Sequence, residues 1–253
     1  MKLNYKEFGS GKPLIILHGL MGSLDNWHSL ANQFALHFKV FTIDARNHGR
    51  SPHSEEHSIP LMVMDLFEFI NEHGLSEVSI IGHSMGGKVA MQFAMEYPQL
   101  LANLIVVDIA PRQYMRGHDD VFAALFAVNL TQVHTRKDAE DKMLPYLKDA
   151  GTRQFLLKNL ERNTDATYQW RINLQALHNH YNEIISPIVS LHPFTGRTLF
   201  IMGSKSDYIT ETDIAEIKTL FPGFKLVTVA NAGHWVHADN PKEFYATVMD
   251  FIN

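Results

Sequence analysis

The residues most able to do chemistry in this sequence lie in the run GHSMGG, where Gly82, Ser84 and Gly86 form the pattern G-x-S-x-G. The run follows an apolar stretch typical of a buried strand and precedes a helical pattern, so Ser84 falls in a tight strand-to-helix turn. Such a turn strains its central residue, and small residues two positions before and after relieve the crowding. The pattern predicts that Ser84 is a nucleophile; the alternative is a glycine-rich turn that only begins a helix.

A serine hydroxyl needs a base to act as a nucleophile at neutral pH, and His234 is the best-placed histidine. It follows the last strand-like run in VTVANAGHWVH, at the same carboxyl edge of the predicted sheet as Ser84. His237 is the alternative base, although its position favours the start of the final helix. His83 is expected to pack within the turn and to point away from the nucleophile.

A tetrahedral intermediate also needs hydrogen-bond donors for its negatively charged oxygen, and backbone amides usually supply them. We predict that the amides of Leu20 and Met85 form this oxyanion hole. Leu20 lies in the loop HGLMGS after the early strand LIIL, and Met85 begins the helix after Ser84. Because the backbone donates, both side chains are free to shape an acyl pocket.

Short apolar runs bounded by Gly, Pro or Asp predict the strands that position these residues. They cover residues 13–19, 39–45, 77–83, 103–110, 197–203 and 225–231. Segments of helical period lie between them, at residues 26–36, 59–74, 86–97, 212–221 and 241–252. This alternation predicts an α/β fold with a mostly parallel sheet flanked by helices.

The alternation of strands and helices stops between Pro111 and about Thr195. The apolar patterns of that segment all have helical period, and none is strand-like. We therefore predict a core of residues 1–110 and 196–253, with residues 111–195 inserted as a helical cap. A minority of the cap's apolar side chains should line the acyl side of the site, and candidates are Tyr114, Phe122 and Trp170.

The bulk composition is that of an ordinary globular protein: 253 residues, 45% hydrophobic and 19% charged, with a formal net charge of -5. No basic cluster predicts a nucleic-acid partner, and the absence of cysteine excludes disulfides, thiolate metal sites and a cysteine nucleophile. The histidines lack carboxylates at metal-ligand spacing, so we expect neither a metal nor another cofactor. No apolar run suits a signal peptide or a membrane span, which predicts a cytoplasmic protein without a membrane partner. The sequence says nothing of the oligomeric state.

The runs LHGLMGS, DARNHGRS, GHSMGG and AGHWVH stand in the order and spacing of the α/β-hydrolase superfamily, which the chain resembles over essentially its whole length. Within that superfamily, RNHGRS, GHSMGGK, VVDIAP and GHWVHA resemble the YbfF-type esterase branch. The resemblance implies hydrolysis of small-molecule carboxylic esters or acyl thioesters through an acyl-serine intermediate. The fold also serves perhydrolases, C–C bond hydrolases and non-catalytic ligand-binding receptors, and these alternatives stay open.

The resemblance also bears on the acid that would orient His234. The superfamily's chain order is Ser, acid, His, which removes Asp44 and Asp65. Asp108 and Asp207 remain as candidates, at two successive strand ends. The commoner place is a G-x-x-D turn after the strand that follows the cap, but Ser206 occupies it here and Asp207 comes one residue late. Asp108 ends the strand after the nucleophile helix, where some superfamily members carry the acid, and we favour it over Asp207.

Overall fold

A seven-stranded sheet forms the centre of the computed structural model, which describes all residues from Met1 to Asn253. The chain's strands are β1 (Tyr5–Phe8), β2 (Pro13–Leu17), β3 (Lys39–Ile43), β4 (Val78–His83), β5 (Leu101–Val107), β6 (Leu160–Arg162), β7 (Tyr168–Trp170), β8 (Thr198–Gly203) and β9 (Lys225–Val229). The order in the large sheet is β1-β3-β2-β4-β5-β8-β9, and only the β1–β3 pair is antiparallel. The carboxyl ends of β4, β5 and β8 therefore lie side by side.

The predicted strands are all present, with ends shifted by a few residues. The prediction missed β1, which pairs with β3 so that Tyr5 lies opposite Ile43. Residues 5–8 are largely exposed at the edge of the sheet. An edge strand of this kind needs no apolar run, and so its sequence carries no strand signal.

Helices cover both faces of the sheet, as expected for strands that are apolar on both sides. They are α1 (His28–Phe34), α2 (Ile59–Glu72), α3 (Met85–Glu96), α4 (Asp119–Phe126), α5 (Arg136–Met143), α6 (Ala150–Leu157), α7 (Leu174–Asn179), α8 (Tyr181–Ile184), α9 (Ile214–Leu220), α10 (Val236–Asp239) and α11 (Pro241–Ile252). Alternate residues of β2 belong to different apolar clusters: Ile15 joins the larger one with α2 and α3, and Leu14 the smaller one with α1 and α11. The sheet thus separates two packed layers.

The segment of residues 111–195, which we call the cap segment, connects β5 to β8 and contains α4 to α8. The prediction that no part of it forms a strand was wrong, because β6 and β7 pair antiparallel with Leu160 opposite Trp170. Their connection is closed by a hydrogen bond from the Asn163 amide to the Thr167 carbonyl over 2.8 Å, with Ala166 at a φ of 68°. Strands of three residues are too short for an alternating pattern to be visible in the sequence.

None of the helices is both long and apolar enough to cross a membrane.

Candidate active site

Ser84 lies between the last residue of β4 and the first residue of α3. Its backbone has φ 52° and ψ -116°, and a positive φ is uncommon outside glycine. The Ser84 amide donates to the Val107 carbonyl over 3.0 Å, which ties the turn to the end of β5. Strain of this kind persists only where neighbouring structure holds it, and it is concentrated at functional sites.

The two glycines that flank Ser84 are needed because backbone segments approach them closely. A Cβ atom on Gly82 would lie 2.3 Å from the Gly86 carbonyl oxygen, inside any allowed contact. A Cβ atom on Gly86 would lie 2.6 Å from the carbonyl oxygen of Leu17, at the end of β2. Glycine at these positions therefore lets the turn be tight and lets α3 begin directly beside β2.

The first amides of α3 have no acceptors within the helix. The first hydrogen bond of the helix runs from the Lys88 amide to the Ser84 carbonyl over 3.1 Å. The amide of Met85, one residue after Ser84, therefore has no acceptor within the helix. The helix dipole adds partial positive charge at the same end.

The loop after β2 contains the second predicted oxyanion donor, Leu20, whose amide donates to no acceptor within the protein. Two buried histidines hold the residues around it. His18 accepts from the Ala45 amide at Nε2 over 3.0 Å, so its Nδ1 carries the proton donated to the Gly19 carbonyl. His48 accepts from the Met21 amide at Nε2 over 3.2 Å.

Burial lowers the pKa of His18 and of His48 below the ordinary histidine range, so both imidazoles are neutral at pH 7. A neutral imidazole offers one acceptor nitrogen, which both loop contacts require. The second ring nitrogen of His48 donates to the Arg46 carbonyl over 2.9 Å. The run DARNHGRS thus supplies structural hydrogen bonds.

The cap segment contacts the same loop through Asn159, a buried residue that the sequence analysis did not identify. Its Nδ2 donates to the Met21 carbonyl over 2.8 Å. Met21 has a strained backbone with a φ of 59°. Both of its backbone polar groups are hydrogen-bonded, the amide to His48 and the carbonyl to Asn159. An isolated asparagine in a helical pattern carries no signal that could have revealed this contact.

His234 and Asp108 lie next to each other at the carboxyl edge of the sheet. His234 Nδ1 is 2.8 Å from Asp108 Oδ2, and Asp108 is completely buried. The Asp108 carboxylate also accepts from the Gly203 amide over 3.0 Å and from the Ser206 hydroxyl over 2.5 Å. A carboxylate with these donors is held in one orientation and can fix the tautomer of the imidazole beside it.

Asp207, the competing acid, is exposed and makes no hydrogen bond or ion pair with any residue. The residue before it, Ser206, instead turns its hydroxyl toward Asp108. The post-cap turn thus reaches the buried carboxylate through a serine at the position where the superfamily's commoner pattern has an acid.

His237, the competing base, is buried in α10 and stacks on Trp27 with ring centroids 4.0 Å apart. Burial lowers the pKa of His237 to about 3, and its Nδ1 has no hydrogen-bond partner. His83 is buried as expected, but it does not simply point away from the site. Its Nε2 lies 2.8 Å from the carbonyl oxygen of His234 and donates to it, so His83 supports the loop that carries the candidate base.

Tyr208 contacts His234 directly and was missed in the sequence. Its ring stacks on the imidazole with centroids 3.7 Å apart and an interplanar angle of 18°. The only sequence signal was an aromatic residue beside Asp207 in the post-cap turn, and nothing in its spacing indicated which ring it would meet.

The predicted pocket-lining residues of the cap segment have other contacts. Phe122 is buried and packs edge-on against His178 and Tyr181, so its ring is used in packing. Tyr114 accepts from the Ala110 amide and donates to the Tyr208 carbonyl through its hydroxyl. Trp170 is half-buried at the end of β7.

A sequence model of the α/β-hydrolase fold family matches residues 12–241. The chain is 39% identical to the sn-1-specific diacylglycerol lipase ABHD11 of Danio rerio, over all of this chain and 83% of that protein. It is 33% identical to the esterase YbfF of Escherichia coli, over the full length of both.

A marine microorganism esterase of known structure superposes with a TM-score of 0.97 at 45% identity, over 99% of both chains. Because the match covers nearly all of both chains, the two structures are similar in the cap segment as well as in the core. Together with the strained serine turn and the strand order, these matches show that the chain belongs to the α/β-hydrolase family.

Proposed function

We propose that this protein is a serine hydrolase that cleaves carboxylic esters of small molecules through an acyl-serine intermediate. The contact between His234 and the buried Asp108 carries the proposal, because it orients a base at the sheet edge where Ser84 lies. The names of the relatives support ester hydrolysis, since they are called lipase and esterase.

Acylation begins when the Ser84 hydroxyl attacks the ester carbonyl carbon and His234 Nε2 takes its proton. Asp108 holds the other ring nitrogen and stabilises the imidazolium that forms. The carbonyl oxygen becomes negative and accepts from the amides of Leu20 and Met85. When the intermediate collapses, the C–O bond to the alcohol breaks and His234 returns the proton to the leaving oxygen.

Deacylation repeats these steps with water as the nucleophile. His234 takes a proton from the water as it attacks the acyl carbon of the acyl-serine. The second tetrahedral intermediate uses the same two amides, and its collapse releases the carboxylic acid and restores the Ser84 hydroxyl. The cycle needs no cofactor, and an acyl thioester would follow the same route with a thiol as leaving group.

The first test is labelling by a fluorophosphonate probe, which reacts with a serine activated by a neighbouring base. We expect the wild-type protein to be labelled and Ser84→Ala to be unlabelled. Ser10→Ala is the matched control because Ser10 is exposed on the connection between β1 and β2, and it should label like wild type. A wild-type protein that does not react with the probe contradicts the proposal.

A substrate panel then identifies the ester. Purified protein is assayed with p-nitrophenyl esters of increasing acyl length, with acyl-CoA thioesters and with a diacylglycerol. We expect turnover of at least one oxygen ester, and we expect that turnover to be lost in Ser84→Ala.

A cytoplasmic location stays a prediction from the sequence, and fractionation of the host cell tests it separately.

A further inference from the structure

We propose that Tyr208 is a positioning residue for the candidate base, holding the His234 imidazole in its productive plane by stacking on one of its faces. This inference rests on the proposed function. It adds to the site a residue that acts through His234 and takes no part in the bond changes.

The stacked geometry limits a motion that the Asp108 contact alone leaves open. One hydrogen bond at Nδ1 fixes the distance to Asp108 Oδ2 at 2.8 Å, but the imidazole can still tilt about that bond. A tilt swings Nε2, the nitrogen that must take the serine proton, away from the hydroxyl. The ring of Tyr208, 3.7 Å from the imidazole centroid and within 18° of parallel, occupies the space into which the ring would tilt.

Tyr208 is itself held by hydrogen bonds that connect it to the segments after β5 and β8. Its carbonyl accepts from the Tyr114 hydroxyl over 2.5 Å, and that hydroxyl accepts from the Ala110 amide over 2.8 Å. Its amide donates to the Ser206 hydroxyl oxygen over 3.3 Å, and Ser206 donates in turn to Asp108. The backbone of Tyr208 is therefore fixed relative to Asp108, and this also positions the Tyr208 ring against the imidazole.

His83 restrains the same residue through its backbone. Its Nε2 donates to the His234 carbonyl over 2.8 Å, and the two rings lie 4.7 Å apart at a tilt of 44°. Burial lowers the pKa of His83 well below the ordinary range, so this neighbour brings no positive charge to the imidazole at pH 7. Of the two rings beside the imidazole, Tyr208 is the closer and the only one nearly parallel to it.

The aromatic face of Tyr208, and not its hydroxyl, makes the contact. The hydroxyl donates to no protein group, and the only hydrogen bonds of Tyr208 run through its backbone. Burial raises the pKa of Tyr208 to about 12, so the ring is neutral throughout the range in which a histidine base works. Phenylalanine can therefore replace tyrosine with the stack intact, whereas an aliphatic side chain cannot.

The experiment compares Tyr208→Phe, Tyr208→Leu and Tyr208→Met by steady-state kinetics on the best ester of the substrate panel. We expect Tyr208→Phe to keep kcat within about threefold of wild type. Tyr208→Leu and Tyr208→Met should lower kcat by about 10- to 100-fold while KM changes by less than about threefold, because a mispositioned base slows chemistry more than binding. The two aliphatic variants guard against one of them failing to fold.

A proton NMR spectrum gives a second readout that a general loss of stability does not reproduce. The Nδ1 proton shared by His234 and Asp108 should resonate far downfield and be assigned by its loss in Asp108→Asn. We expect this resonance to persist in Tyr208→Phe. It should broaden or disappear in the two aliphatic variants, because the His234 imidazole is then free to tilt.

Two results would overturn the inference. Wild-type kcat and an unchanged downfield resonance in Tyr208→Leu would show that the stack does not hold the ring. A loss in Tyr208→Phe equal to that in Tyr208→Leu would assign the effect to the hydroxyl. Failure of the proposed function is seen separately, as a wild-type protein that hydrolyses no ester and is not labelled at Ser84.

Discussion

His234 Nδ1 lies 2.8 Å from Asp108 Oδ2, although 126 residues separate the two in the sequence. The chain between them includes the whole cap segment. Parallel strands β5 and β8 are neighbours in the sheet, and β9 is the next strand along, so the loops at their carboxyl ends converge. Activity should therefore depend on the contacts made where these loops meet.

Replacing Asp108 by asparagine should lower kcat by about 10³- to 10⁴-fold, because an amide holds the imidazole in the wrong tautomer and cannot stabilise its charge. Asp207→Asn is the matched control: Asp207 is exposed and unbonded, and its replacement should cost about tenfold or less. Initial rates on a p-nitrophenyl ester measure both. The reverse ranking would assign the acid to Asp207.

Moving the acid should restore part of the lost activity. The Ser206 hydroxyl lies 2.5 Å from Asp108 Oδ2, so a carboxylate at position 206 can approach the same imidazole nitrogen. We expect the double variant Asp108→Asn with Ser206→Asp to recover about 10-fold or more of the kcat lost in Asp108→Asn alone. Ser206→Asp by itself should lower kcat, because it places two carboxylates side by side. A double variant no faster than Asp108→Asn would show that the turn cannot present an acid to His234.

Asn159 connects the cap segment to the loop after β2, which contains Leu20, and its loss should affect catalysis. In Asn159→Leu the Met21 carbonyl loses its hydrogen-bond donor. An unsatisfied buried carbonyl costs about 1–3 kcal/mol. We expect the loop to move so that this carbonyl finds another donor. We expect kcat to fall by about tenfold with little change in KM, since the Leu20 amide moves with the loop. Gln169→Ala, at an exposed position on β7, is the control in the same part of the cap segment. Equal kcat values for the two variants would contradict this role of Asn159.

The stability of the protein should fall in mild acid, in part because His237 is buried. Its folded pKa is about 3, whereas a histidine in the unfolded chain titrates near 6.5. Between these values the unfolded chain binds a proton that the folded chain does not, so the free energy of unfolding decreases as the pH falls from 6.5 toward 3.

The variant His237→Phe tests this, because it keeps an aromatic ring against Trp27 and removes the titrating group. The Nδ1 atom of His237 has no partner, so that nitrogen gives up no hydrogen bond on replacement. Urea unfolding at pH 7.5 and pH 5.0 should show a loss of unfolding free energy that is about 2 kcal/mol smaller in the variant than in wild type. The same loss in both proteins would show that His237 does not titrate on unfolding.

Sequence patterns were enough to predict the α/β class, the strands of the large sheet other than β1, and the turn that holds Ser84. These features depend on local patterns: apolar runs make buried strands, and only glycine fits at positions 82 and 86, where backbone segments approach closely. The same patterns placed His234 after the last strand, at the sheet edge where it is found. Each of these features is encoded within a few neighbouring residues, and so it can be predicted without knowledge of the fold.

The contacts that those residues make could be seen only in the folded chain. Both Asp108 and Asp207 follow strands, and only the packing shows one carboxylate buried against His234 and the other exposed. Tyr208 stacks on His234, and Asn159 donates a hydrogen bond to Met21, and both contacts join residues far apart in the chain. Such contacts depend on the order of strands in the sheet and on how the cap segment docks, which no short sequence pattern encodes.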